Sequence, residues 1–564
     1  MARVYTNPTT PSASLPQLDL LTLLFDSDHT ACQDDNKVLH VDATNPSNCI
    51  TKTKLRDLTE RIAHGIRSHY GVGSNGPNHD IVTTITYGQV LAPAVFFGII
   101  AAGGVSSAAS PSSTVSELVR QIKTTQSKLI ICGREHKSVA SEAAKECGIA
   151  LSRVLVAESA PSWSLTSVEG SINGISSQQL KWERITDPKR LEESLITILW
   201  SSGTTGLPKG VMISHRNLVA ETYITAVGGR EWAANEMQKG TFQPIEFRAL
   251  AHLPVSHIAG LFGCMITPFY NNGTVFWMRQ YRWKEFLQNV KRHRITMLFT
   301  MPTIYLRISK SAEAAEAFRS IVGASSGGSA MDQKLQAAAS TQLGDGKSVL
   351  VGQTWGLSES TGGITGQPIG VSDSTGSVGS PLPCVEIRVV DDEYRDVEPG
   401  QPGELLLRSP TVMRGYFNDP ESTRDTFHDG WLCTGDIGVM RDGKLYIVDR
   451  KKELLKYKGL QVAPAELENL LATHPKVQEA AVIGVPAPDD PGSDLPRAYV
   501  VADDADVSEA ELKEYVKQRA APYKQLRGGL VFVDEIPKNA IGKYLRKDLK
   551  ERAMREIRAA KAKL

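Results

Sequence analysis

The segment LITILWSSGTTGLPKGVMISHRN (195–217) decides the architecture. Its first six residues are apolar and partly β-branched, which predicts a buried strand. VMIS (211–214) resumes extended apolar character. Ser214 has the short side-chain oxygen that caps a helix, so a helix is expected over HRNLVAETYITAV (215–227). Between the two strands lie ten residues with three glycines, two serines, two threonines and one lysine. An ordinary turn needs neither that length nor that chemistry. Gly203, Gly206 and Gly210 let successive backbone N–H groups curl around an anion, while hydroxyls of Ser201, Ser202, Thr204 and Thr205 add donors and Lys209 supplies charge. The loop is read as a phosphate cradle. It is not a Walker A loop, because Lys209 is followed by Gly210 and a strand rather than by Ser or Thr and a helix.

Outward from this segment, strands and helices alternate. LIIC (129–132), TMLF (296–299) and SVLVGQ (348–353) are short apolar runs separated by helical patterns, which predicts parallel sheets covered by helices. From about residue 380, EIRVVDD, GELLLRS and KLYIVDR alternate with Gly and Pro turns and predict an antiparallel β unit on the same body. RKKELLKYKG (450–459) is then dense in cations, as a solvated face or a joint between two bodies would be. Beyond it a helix is expected at 464–471, a strand at EAAVIGV, a helix near 509–519, a strand at GLVFVDE and a final loop and helix.

Composition narrows the function. The 564 residues exceed one hydrophobic core and predict several structural units. Lys plus Arg number 63 against 62 for Asp plus Glu, so no charge excess favours nucleic acid or an acidic membrane, and a small-molecule partner is expected. Seven scattered cysteines, odd in number and never spaced CxxC, predict free thiols in a reducing compartment and no zinc site. The apolar run 90–105 is interrupted by Pro93 and Gly98 and falls short of the roughly 20 residues a bilayer requires, so it is read as a buried helix with no membrane span. Residues 1–17 lack the apolar core of a signal peptide or anchor. Ala562-Lys563-Leu564 is a close variant of the SKL peroxisomal address, which predicts peroxisomal localisation through an import receptor and a cytoplasmic location otherwise.

SSGTTGLPKGVMISH resembles the signature of the adenylate-forming superfamily of acyl-CoA synthetases, adenylation domains and beetle luciferases. LPVSHIAGLF (253–262), SSGGSA (325–330), QTWGLSE (353–359), GELLLRSPTVMRGYFNDPESTRDTF (403–427), GWLCTGD (430–436), YIVDRKKELLKYKGLQVAPAELE (446–468) and PKNAIGKYLRKDL (537–549) follow in the superfamily's order. KYKGLQVAPAELE and IPKNAIGK are most similar to 4-coumarate:CoA ligases and related peroxisomal acyl- or aryl-CoA ligases. The resemblance implies a large α/β domain over 1–449, with parallel sheets flanked by helices plus the small antiparallel unit. A hinge at 450–452 and a smaller mobile α+β domain over 453–564 would complete the chain.

It also implies a reaction. A carboxylate attacks the α-phosphorus of ATP to give acyl-AMP and pyrophosphate, and the thiol of coenzyme A then takes the acyl group. The first step brings an anion to a polyanion and needs no general base, so cations must carry it. By resemblance, Lys209 and the loop hold the departing pyrophosphate, Glu359 is the Mg²⁺ ligand and Ser358 contacts the α-phosphate. Gln353, Thr354 and Trp355 form the nucleotide strip, and Asp436 with Arg450 grips the ribose. Lys543 bridges carboxylate and α-phosphate, with Lys456 and Gln461 belonging to the same pose. Rotation about Lys452 would withdraw Lys543 and present Lys458 and Gly459 to coenzyme A.

His257 matches the residue at the mouth of the acyl pocket, which Ala259, Gly263, Gly327, Gly328, Gly362 and Gly363 would line. Coumarate ligases commonly carry tyrosine where Ala259 stands, and glycine where Thr354 stands. An apolar cavity of altered shape is therefore expected, favouring medium-chain, branched or arylacetic acids over coumarate. Two other readings stay open at this stage: an adenylation module that loads a carrier protein, and a luciferase-type oxidoreductase.

Overall fold

The computed structural model describes residues 3–7, 14–161, 163–201, 208–346, 349–367, 370–458, 460–488, 490, 492–502, 507–539 and 542–561. The fold is α/β, as expected. Leu195–Ser201 is a strand, and Lys209–Ser214 runs antiparallel to it, with Lys209 opposite Ser201 and Gly210 opposite Trp200. The cradle loop thus joins two hydrogen-bonded neighbours, although Ser202, Gly203, Thr204, Thr205 and Gly206 lie outside the described residues. Ser214 caps the next helix by accepting from the Asn217 amide, and Asn217 accepts in return from the Ser214 amide at 2.9 Å, an arrangement that stabilises a helix start by about 1 kcal/mol.

These two strands form one edge of a seven-stranded sheet. Val105–Ala109, Ile81–Ile85, Leu129–Gly133, Val154–Glu158 and Ser164–Ser167 follow in space. The interior pairs are parallel and the outermost pair at each edge is antiparallel. The predicted buried helix is Ala92–Ala101, every residue of which is buried. Pro93 occupies its first turn, where a missing N–H costs nothing. Gly98 sits where this helix meets Lys52–Tyr70, and a Cβ there would lie 2.6 Å from Ile62 Cγ2, so the two helices touch at that glycine.

A second sheet runs Arg248–Ala251, Thr274–Trp277, Val38–Asp42, Cys49–Thr51, and a third, wholly parallel, runs Met297–Thr300, Gly323–Ser326, Val351–Gln353. The antiparallel unit is built on Glu386–Val390, Gly403–Arg408, Trp431–Arg441 and Lys444–Arg450. That last strand ends in a turn where the amides of Glu453 and Leu454 both donate to the Arg450 carbonyl, at 2.9 and 3.1 Å. Leu455 already belongs to another core, shared with Leu467, Leu471, Val482, Val500 and Leu512. Each such buried leucine stabilises its core by ~2 kcal/mol over an exposed one. Around that core lie the antiparallel pair Val477–Pro486 and Asp494–Ala502, the parallel strand Leu530–Phe532, and helices Pro464–Ala472 and Glu509–Arg519.

Two expectations change in extent. The helix that starts at His215 runs on to Gln238, but its buried residues stop at Val227. The added half passes through Gly228 and Gly229, which weaken a helix, and continues with Ala, Glu, Met and Gln, strong helix formers that need no apolar stripe. SVLVGQ shrinks to Val351–Gln353. All seven cysteines are free thiols. No helix among the described residues is long and apolar enough to cross a membrane.

Candidate active site

The C-terminal edges of the first and third sheets and the antiparallel unit surround one cavity of about 2330 Å³. Arg450 lines it, and Asp436, buried just behind, is its register partner on the neighbouring antiparallel strand. Pairing holds the Arg450 guanidinium Nε 3.1 Å from Asp436 Oδ1, and the indole N–H of Trp355 donates to Oδ2 at 2.8 Å. Burial pushes the Asp436 carboxyl up, and Arg450 and Trp355 oppose that by stabilising the anion. A carboxylate offers about four lone-pair directions, so two remain for hydroxyls of a ligand. Trp355, expected on the nucleotide strip, is buried and turned toward Asp436, where it positions that carboxylate. Gln353 and Thr354 do face the cavity. The Gln353 side-chain Oε1 accepts from the Met331 amide at 3.2 Å, while its buried Nε2 has no partner among the described residues, a donor suited to a bound acceptor.

A second cluster grows from the free edge of strand Lys209–Ser214. The amide of Phe417 donates to the Gly210 carbonyl at 2.7 Å and that of Met212 to the Gly415 carbonyl at 3.0 Å, which lays the segment 414–417 along this edge. Tyr416 is thereby placed between the two expected phosphate residues. Its hydroxyl donates to Glu359 Oε1 at 2.9 Å, and Lys209 Nζ stands 4.8 Å from its ring centroid. Ser201 and Ser358 also line the cavity. Tyr416 was carried by the quoted motif GYFND, but only the strand-edge contact reveals its role.

Lys543 enters from the C-terminal core. Its loop is closed by reciprocal backbone bonds of 2.9 Å, Asn539 N–H to the Lys543 carbonyl and Gly542 N–H to the Asn539 carbonyl. The side chain lies within 3.7 Å of a Cβ placed on Gly328, beside the acyl-pocket glycines. Burial, with the Arg450 guanidinium next, brings the Lys543 ammonium down to about 8, against the pull of Asp436, Glu453 and Glu359. Burial and then Lys543 hold His257 down to about 3, so its imidazole is neutral. His257 Nδ1 accepts from the Ala259 amide at 3.2 Å, which orients the ring at the start of helix Ile258–Leu261.

His257, Ala259, Gly263, Gly327, Gly328, Gly362 and Gly363 all line the cavity with Phe299. The expected apolar pocket nevertheless contains a buried carboxyl, Glu221, that the sequence reading missed. Lys452 is exposed in the turn and reaches the cavity rim. Lys456 and Gln461 face each other across the hairpin Leu455–Tyr457 and Leu460–Val462, exposed and outside the cavity lining. Lys458 is at the hairpin tip with φ 50°, its amide bonded to Ser493 Oγ at 3.0 Å, and Gly459 lies outside the described residues.

A buried carboxylate–guanidinium pair and a lysine from a separate core meet at one cleft walled by Lys209 and Glu359, the arrangement of a nucleotide-dependent acid-activating enzyme. The chain belongs to the AMP-binding enzyme family, whose pattern matches residues 27–417, with the AMP-binding enzyme C-terminal domain matching 466–543. It is 47% identical over 544 residues, 96% of each chain, to a putative acyl-coenzyme A synthetase of Emericella nidulans. To phenylacetyl-CoA ligase epaB of Aspergillus niger it is 32% identical, over 96% of this chain and 98% of the other. The ATP-bound MatB structure from Rhodopseudomonas palustris superposes with a TM-score of 0.78 at 25% identity, covering 94% of this chain and 98% of that one.

Proposed function

We propose that the chain is an AMP-forming acyl-CoA ligase that joins a carboxylic acid to the α-phosphorus of ATP, releases pyrophosphate and transfers the acyl group to coenzyme A. The family and the relatives named as CoA ligases support this reading. The single observation that carries it is the convergence of Lys543 with Arg450, Asp436 and Glu359 on one cleft. Lys543 places positive charge where two negative reactants meet, and a desolvated site strengthens that interaction. Asp436, held by Arg450 and Trp355, accepts hydrogen bonds from the ribose. Lys209 and Ser201 retain the pyrophosphate, with Tyr416 fixing the Glu359 carboxylate opposite them.

Glu359 suits Mg²⁺. Among the described residues no cluster of three or more His, Cys, Asp or Glu could hold a metal by itself, and magnesium bound with nucleotides takes one or two protein carboxylates plus phosphate oxygens. Bound there, Mg²⁺ would supply charge neutralisation to the phosphates.

Lys458 and Gly459 serve coenzyme A after the C-terminal body turns about Lys452. The place of Lys458 outside the cavity while Lys543 is inside agrees with two alternating poses. The terminal Ala562-Lys563-Leu564, outside the described residues, is proposed as a peroxisomal address, and its removal should leave a fluorescent fusion in the cytosol.

The central test separates the half-reactions. Lys543→Ala should lower acid-dependent pyrophosphate release by about 100-fold or more, while thioester formation from supplied acyl-AMP and coenzyme A is retained. Equal loss of both would remove Lys543 from the adenylation step. A pyrophosphate screen across aryl, arylacetic and fatty acids identifies the substrate class.

A further inference from the structure

Glu221 lies in the long helix His215–Gln238, fully buried, and neither carboxyl oxygen has a hydrogen-bond partner among the described residues. It forms no ion pair there. The Gly363 amide lies near enough to favour the anion slightly, but burial dominates and pushes the carboxyl well above its usual range. A neutral carboxyl both donates and accepts. Leaving such a group unpaired inside a protein is costly, and native structures rarely do so without a reason.

Its surroundings supply the reason. Ile224, Thr225 and Gly228 stand three, four and seven residues further along the helix, on the same face, and all line the cavity with Glu221. Opposite lies Gly362, where an added Cβ would meet Glu221 Oε1 at 2.4 Å. With no side chain at that position, the Gly362 backbone packs directly against the carboxyl, which is covered yet unpaired among the described residues. Thr267 Oγ1, on the same cavity, is likewise buried without a partner among the described residues. No step of the adenylation chemistry uses either group.

We propose that Glu221 reads a hydroxyl or carbonyl oxygen on the tail of the acid substrate, so that the enzyme selects hydroxy- or oxo-substituted acids over hydrocarbon isosteres. The proposal rests on the acid-activation reading above and adds the substrate class. A tail oxygen satisfies the buried carboxyl, whereas a methyl group in its place leaves both oxygens unpaired, a penalty that discriminates strongly between isosteres.

The test uses matched pairs, 4-hydroxyphenylacetate against 4-methylphenylacetate and 8-hydroxyoctanoate against nonanoate. Each is measured as kcat/KM for pyrophosphate release and as Kd by calorimetry, in wild type, Glu221→Met and Glu221→Gln. Wild type should favour the hydroxy acid by about tenfold or more in at least one pair. Glu221→Met should erase or invert that preference, while Glu221→Gln, which keeps a donor and an acceptor, should preserve most of it. Preference for the hydrocarbon acid in both wild-type pairs, or a hydroxy preference that survives in Glu221→Met, overturns the proposal. The wild-type ratios judge it even if the methionine variant does not fold. Pyrophosphate release with any acid upholds acid activation whatever the ratio. Silence with every acid sinks that reading, and the calorimetric ratio still decides the role of Glu221.

Discussion

Lys543 is the residue on which pH should act. Its ammonium is the active species, and burial with the neighbouring Arg450 brings it down to about 8. The protonated fraction is complete well below that value and falls as pH rises through it. The kcat/KM for adenylation, which reports the free enzyme, should therefore decline above about 8 rather than near the ordinary lysine range. Saturating ATP adds negative charge and should move the break in kcat upward. A flat profile between pH 7 and 9.5, taken by stopped assay of pyrophosphate, would contradict this. Lys543, Glu359, Asp436 and Arg450 were singled out only through the family resemblance of the motifs that hold them, and the fold brings them together. Tyr416 and Glu221 were not, since their roles arise from a strand edge and a helix face meeting residues distant in sequence. The bland Thr/Glu/Tyr composition around Glu221 gave no hint of the cavity beside it.

Among elements, strand positions and helix starts were legible because apolar runs and cap chemistry are local signals. Ser214 and Pro464 mark helix N-termini as read, and Pro93, read only as an interruption of the apolar run, falls in the first turn of Ala92–Ala101. The far end of the long helix was not legible, because no apolar period marks a half held by single contacts such as Arg230 over the Tyr270 ring and Trp232 against Phe242. The short π-helix Phe262–Ile266 also escaped, since widening by one residue leaves no compositional trace. It carries Gly263 into the cavity wall, where an added Cβ would meet its nearest atom, Phe299 Cδ1, at an ordinary 3.7 Å. Gly263→Ala should thus fold normally yet reduce the acyl space, lowering kcat/KM for bulky acids by about tenfold relative to smaller ones. Gly260, three residues earlier, differs: a Cβ there would sit 2.2 Å from the Pro254 carbonyl. Equal effects of Gly263→Ala on large and small acids would place the acyl chain elsewhere.

The whole molecule holds its C-terminal body by the two ends of one helix. The carboxylate of Asp449, on the strand before the turn, accepts from the Ala465 amide at 3.1 Å, in the first turn of Pro464–Ala472. Lys310, the last residue of Pro302–Lys310, donates to the Ala472 carbonyl at 3.2 Å and also to that of Val477. An anion at the amino end and a cation at the carboxyl end both complement the helix dipole, the cation by about 1 kcal/mol. Lys310→Met should depopulate the pose with Lys543 inside, slowing adenylation by about fivefold while sparing thioester formation from supplied acyl-AMP. Unchanged half-reaction rates would assign the contact no part in pose selection. Neither clamp was readable in the sequence: the Lys310 partners lie 162 and 167 residues away, and the Asp449–Ala465 bond closes only because the chain turns back between strand and helix.

Arg450 has a double position, its guanidinium on the Asp436 carboxylate and its carbonyl receiving both amides of the turn. On the function proposed above, the axle of the swinging cap is therefore bolted to the nucleotide's own seat. Vacating that seat and freeing the axle become a single event, so the enzyme should reset after each turnover at the moment AMP departs, with no separate signal to tell the cap that its work is finished.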